Sequence, residues 1–103
     1  MDGSSSHLAA FITAYTFVAQ AYDEIPDLLM AALGQMANAA VMNFPKLSTY
    51  ARIECTIAIE RLLVMLFYKG EGVLKGFFDK LGRFLAIDQL AALSSLFIQA
   101  LIS

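Results

Sequence analysis

The order of apolar and polar residues along this chain repeats with a helical period, and short breaks divide it into five helical stretches. The first runs from about His7 to Tyr22, with Thr13, Thr16 and Gln20 on one narrow face and apolar residues or alanine elsewhere. Ser6 is placed to cap its start. The acidic turn Asp23-Glu24-Ile25-Pro26-Asp27 ends it. Pro26 suits a first helical turn, and the carboxylates suit the positive end of the next helix. That second helix spans about Pro26 to Asn43, with Asp27, Ala31, Gly34, Gln35 and Asn38 on one face and Leu29, Leu33, Met36, Ala40 and Phe44 opposite. Gly34, Ala37, Ala39 and Ala40 give it a smooth surface that another helix can approach closely. Pro45 terminates it, since the residue before a proline is pushed out of helical geometry.

Ser48 or Thr49 caps the third helix, which reaches Tyr68 and then Gly70 as its C-terminal cap. Its apolar residues, from Ile53 to Phe67, cover nearly the whole circumference. A helix of that kind is expected to be central or embedded in lipid, and its charges Arg52, Glu54, Glu60 and Arg61 weigh against lipid. The fourth helix, about Glu71 to Leu85, is the clearest amphipath. Val73, Leu74, Phe77, Phe78, Leu81, Phe84 and Leu85 share one face, and Lys75, Asp79, Gly82 and Arg83 the other. Gly72, Gly76 and Gly82 mark either close helix contact or a helix that gives up about 1 kcal/mol at each. The fifth runs from about Ile87 to Ile102, with Asp88, Gln89, Ser95 and Gln99 on its polar side and Leu90, Leu93, Phe97, Ile98 and Leu101 on its apolar side. Asp88 is an alternative cap for it. Two-residue alternation is nowhere sustained, so no strand competes. The expected fold is all-α: an antiparallel bundle or short α-solenoid of about five helices, forming one domain over 7–103 after a start, 1–6, that is disordered or an expression scar.

Composition changes this picture in one respect. Apolar residues make up 59% of 103 residues, above the roughly 45–50% of an ordinary domain. A chain this short has an unfavourable surface-to-volume ratio, so some apolar surface is expected to face a partner, a second copy or lipid. The net charge is −2 and the pI about 5.1, without the basic stripe of a nucleic-acid binder. Lys69, Lys75, Lys80 and Arg83 lie among Glu71, Asp79 and Asp88, the pattern of a solvated helix face. One cysteine permits no internal disulfide and fits a reducing, intracellular setting, the cytoplasm first.

From Asp23 to Leu66 the chain resembles a HEAT- or armadillo-type helical repeat. The stretch DEIPDLLMAAL is similar to the first helix of such a repeat, and KLSTYARIECTIAIERLLVML to the second, with Arg52 where the family carries an arginine. GEGVLKGFFDKLGRFLAIDQLAALSSLFIQAL follows as a further helix pair. The resemblance implies a scaffold that binds proteins. Because such repeats bury their apolar faces only by stacking, two and a half of them also imply a longer array or a dimer.

The candidate chemistry is sparse. Asp23, Glu24 and Asp27 form the one carboxylate cluster, read as an acidic helix start or a cation site lacking the usual calcium-loop spacing. Glu54 with Arg61, and Arg52 with Glu60, share helix faces; they are candidate polar pairs, either structural ion pairs or groups that read a partner. Cys55 is expected to be a buried, inert thiol, with His7 the one histidine available as a base. Met30, Met36, Met42 and Met65, with Met1, are core filling or an adaptable binding groove. No nucleophile elbow, phosphate loop or dinucleotide fingerprint occurs. The expectation is therefore a non-enzymatic interaction or scaffold module without metal or cofactor, with a protein partner or homo-oligomer and no nucleic acid. Phe77, Phe78, Leu81, Phe84, Phe97 and Leu101 are its candidate core or interface. A membrane-associated protein, raised by Leu8–Tyr22 and Leu28–Phe44, is the second class, although each stretch is shorter than the roughly 20 residues that span a bilayer. An apolar-ligand carrier is the third.

Overall fold

The described residues form five α-helices and one short 3-10 turn: α1 (Gly3–Ala19), α2 (Asp27–Ala40), the turn Phe44–Lys46, α3 (Thr49–Lys69), α4 (Glu71–Phe84) and α5 (Ile87–Ile102). The computed structural model describes residues 3–102, with side chains from residue 7 onward. The expected separate start therefore falls partly outside the described residues, as do Met1 and the capping side chain of Ser6. Among the described residues there is no strand. The Cα radius of gyration is 13.0 Å, the value of a single compact domain of about 100 residues.

Local signals account for most of the helix boundaries. Ser48 is extended and its hydroxyl accepts from the Ala51 amide at 3.2 Å, capping α3. Gly70 ends α3 at φ 134°, a backbone conformation in which a side chain would be strained. It is also the whole link to α4. Pro26 stands just outside α2, with its carbonyl accepting from Leu29 and Met30. At the start of α5, Gln89 rather than Asp88 caps: its Oε1 accepts from the Ala86 amide at 3.2 Å. Two helices are shorter than the periodicity suggests. α1 stops at Ala19, and α2 stops at Ala40 because Pro45 draws Phe44–Lys46 into a 3-10 turn.

Helix order in space differs from helix order in sequence. The main partner of α1 is α3, and the main partner of α2 is α5. Along the α1–α3 seam, Ala10, Thr13 and Phe17 face Glu54, Ile57 and Arg61, and farther on Thr16 and Gln20 face Met65, Tyr68 and Lys69. Residue numbers rise together on both sides, so α1 and α3 run parallel and α2 is the crossover between them. The repeat resemblance joins α2 with α3, whereas each of these helices finds its chief neighbour elsewhere. Two apolar clusters hold the bundle. One gathers Met30, Leu33, Leu62, Leu66, Phe77, Leu81 and Leu93; the other gathers Ile12, Phe44, Leu47, Ile59, Leu96 and Ala100.

Gly34 belongs to this core rather than to a polar face of α2. A Cβ there would sit 2.7 Å from Leu85 Cδ2 and 3.0 Å from the Gln89 side chain. The smooth surface of α2 is thus where the start of α5 seats. Gly72, Gly76 and Gly82 have nothing within 4 Å of an added Cβ, so they mark no close contact.

The third helix is not surrounded. Ala51, Cys55, Ala58, Ile59, Leu62 and Leu66 are buried, while Ile53, Ile57, Val64 and Phe67 are exposed by 42–60%. Among the described residues there are four other α-helices to cover it, and they take one side. The expectation of a central helix fails for that reason.

Candidate interaction face

The uncovered side of α3 carries a regular pattern. Tyr50, Ile53, Ile57, Glu60, Val64 and Phe67 follow one another at alternating steps of three and four, the spacing of a coiled-coil seam. All six are exposed. Beside them α1 turns Ala10, Ala14, Phe17 and Val18 to solvent, and Phe17 is 79% exposed. Between the two helices runs an open groove of about 740 Å³ lined by Ala10, Ala14, Phe17, Glu54, Ile57 and Arg61. Of the eighteen exposed large hydrophobic side chains among the described residues, eight lie on this α1–α3 face. Scattered apolar residues on a surface are ordinary; a contiguous patch of this kind marks an interaction site.

The charges predicted to pair on α3 do not pair with one another. Glu54 and Arg61 stand seven residues apart, about 10.5 Å along the axis, too far to meet within one helix. Among the described residues the ion pairs within 4 Å are those of Lys80 with Asp27 and Glu24. Glu54 instead acts on Tyr50 one turn earlier, raising that phenol's pKa through a hydrogen bond and its charge. Arg61 lies exposed at the groove.

The acidic turn before α2 already holds a cation, that of Lys80. The Lys80 ammonium donates to the Ile25 carbonyl at 2.6 Å and sits 3.0 Å from Asp27 and 3.7 Å from Glu24. Lys80 therefore leaves the solvated basic face to which its sequence neighbours assign it. No group of three histidine, cysteine or acidic side chains capable of holding a metal occurs among the described residues. Cys55 is fully buried, and burial together with the charge of Glu54 pushes its thiol up to about 11. A thiol held protonated in this way is a poor nucleophile.

The six aromatic and leucine positions expected at core or interface divide between them. Phe77 and Leu81 are buried and Phe97 is half-buried; Phe78, Phe84 and Leu101 are exposed by 44–46%. The sequence pattern singles out neither Phe17 nor Tyr50 nor Tyr68 as interface residues, and it gives Ile53 through Phe67 to a helix that is central or embedded in lipid. The seam spacing was the signal available for α3; nothing in the sequence placed α1 alongside it.

A second concavity, about 450 Å³, lies between the start of α1, the end of α2 and the 3-10 turn. Leu8, Phe11, Met36 and Phe44 supply apolar wall, and His7, Gln35 and Asn43 supply polar groups. Met30 is in the core, Met65 is half-buried, and Met42 is 75% exposed. No helix among the described residues is long and apolar enough to cross a membrane.

Compared with known proteins, the chain matches no family model, no curated protein and no solved structure.

Proposed function

We propose that this chain is a non-enzymatic protein–protein interaction module that works through the α1–α3 face. The observation that carries the reading is the contiguous set of exposed apolar side chains on two adjacent parallel helices, Phe17 and Val18 on one and Ile53 to Phe67 on the other. Such a face costs solubility in an isolated domain and is stabilised by covering it. Its geometry suits recognition of an apolar helix face, in which anchors at steps of three and four enter a groove. The scaffold role implied by the helical-repeat resemblance is a narrower form of the same proposal.

The test uses an apolar dye together with light scattering. The wild-type chain is expected to associate or to bind the dye, and Phe17→Glu and Phe67→Glu to suppress both. Ile87→Glu at the start of α5, a site 89% exposed and away from the face, is expected to change neither. A wild-type chain that stays monomeric and binds no dye would overturn the reading.

The cleft at the start of α1 favours a second reading, carriage of a small apolar ligand. Its volume falls within the range of small-molecule sites, and its wall is apolar with a few polar groups. Native mass spectrometry of the purified chain tests this through the mass of any retained ligand.

A further inference from the structure

We infer that the α1–α3 face is covered by a second copy of this chain, with the two α3 helices packed antiparallel about a two-fold axis near the middle of the helix. The inference rests on the interaction-module reading and specifies its partner.

The argument starts from the charges beside the seam. Glu54 and Arg61 flank it on the edge facing α1, two turns apart on one face, and among the described residues neither has an ion pair. In an antiparallel pair, successive layers set Tyr50 opposite the partner's Phe67, Ile53 opposite the partner's Val64, and Ile57 opposite the partner's Glu60. In that register Glu54 falls opposite the partner's Arg61, and symmetry repeats the contact on the other side of the axis. Charged flanking positions of this kind set the orientation of paired helices. A parallel pair offers no equivalent: it sets Glu60 against its own copy and leaves Arg61 facing Thr56. The surface is therefore self-complementary in one orientation only, as a two-fold interface requires.

Size agrees with charge. Phe17, Tyr50, Phe67 and Tyr68 are 60–82% exposed, and Ile53, Ile57 and Val64 add 42–52%. With about 200 Å² for a large aromatic side chain, the face offers on the order of 800 Å² per protomer. A standard stable interface needs about that much from each partner. Phe17 stands beside Ile57 and Arg61, near the midpoint of α3, so the axis gathers both copies of Phe17 at the centre, where binding energy concentrates. Glu60 is the one charged seam residue and lies close to the axis, so it weakens the dimer and keeps it reversible.

The full chain, examined by light scattering across a concentration series, is expected to be a dimer. Glu54→Arg and Arg61→Glu alone are each expected to weaken dimerisation about tenfold or more, since each turns two attractions into repulsions. The double variant is expected to restore it. Glu60→Leu is expected to tighten it at least about tenfold, and circular dichroism confirms that each variant folds. A spin label on Thr49→Cys reports orientation, because native Cys55 is fully buried and escapes labelling. Antiparallel helices place the two labelled backbones about 28 Å apart and parallel ones about 10 Å. A short distance, or a dimer indifferent to the charge swaps and to Glu60→Leu, overturns the antiparallel pairing. A monomer overturns the second copy as occupant. If that monomer still binds apolar dye and loses it in Phe17→Glu, the interaction-module reading survives the failure of the dimer.

Discussion

Lys80 in the C-terminal half of α4 places its ammonium 3.0 Å from the Asp27 carboxylate at the start of α2. Asp27 is 67% exposed at its side chain and Lys80 only 18%, so the two ends of the contact differ in worth. Water screens the carboxylate and limits the ion pair to a few tenths of a kcal/mol. The hydrogen bond to the Ile25 carbonyl, at 2.6 Å, lies on the drier side. Lys80→Ala is therefore expected to cost about 1–2 kcal/mol, because it strips a partner from that carbonyl and removes a packed aliphatic stem. Asp27→Asn should cost less than about 0.5 kcal/mol. Urea unfolding of the two variants ranks the contributions, and an equal loss in both would show that the charge pair dominates.

The same Gly→Ala substitution should have one sign at Gly34 and the opposite sign at Gly76 and Gly82. At Gly34 a new methyl meets Leu85, itself buried, at 2.7 Å. Overpacking of this kind costs about 1–3 kcal/mol, which outweighs the helix-propensity gain of about 1. At Gly76 and Gly82 nothing lies within 4 Å, so Gly→Ala should stabilise by about 0.5–1 kcal/mol at each site. Thermal midpoints should fall for Gly34→Ala and rise for the other two.

Tyr15 is 4% exposed, and its hydroxyl has no hydrogen-bond partner among the described residues. Its ring packs in the core, 6.2 Å from that of Phe11, while the desolvated hydroxyl carries a cost without return. Tyr15→Phe is expected to raise stability by about 1 kcal/mol in chemical denaturation. A loss of that size would instead reveal a bound water or ligand satisfying the hydroxyl.

Alkaline pH should loosen the fold through Cys55. Its thiol is raised from 9.0 to about 11 in the folded chain, so the unfolded chain releases the proton first. The associated stability is complete below pH 9 and is lost as pH climbs through 11, by about 3 kcal/mol in all. Tyr15, also raised by burial, adds to the loss above pH 10. Measured between pH 8 and pH 11, Cys55→Ala should start less stable than the wild type and converge on it. Parallel curves would exclude the thiol as the cause.

The five helices could be read from the sequence because their signals are local. Ser48 as a cap, Gly70 as a stop and the amphipathic run of α4 act within a turn or two of themselves, and each appears where the residues place it. Misplaced boundaries arose where competing local terms nearly balance, as at Asn43-Phe44-Pro45. Burial was legible only where a helix has one apolar face: Phe77, Leu81 and Leu93 are in the core as their pattern demands. On α3 the apolar residues run all round, and periodicity offers no means of ranking one side above another.

Helical character, the breaks between helices and an excess of apolar surface were determined by the sequence itself, since each follows from residue type and near-neighbour spacing. Which helices pair, and hence which surface remains bare, was decided only in the tertiary structure. The parallel seating of α1 on α3, the reach of Lys80 to Ile25 across 55 residues and the approach of α5 to Gly34 all join distant segments. Their energies depend on how whole faces fit together, and no window along the chain contains both sides of such a fit.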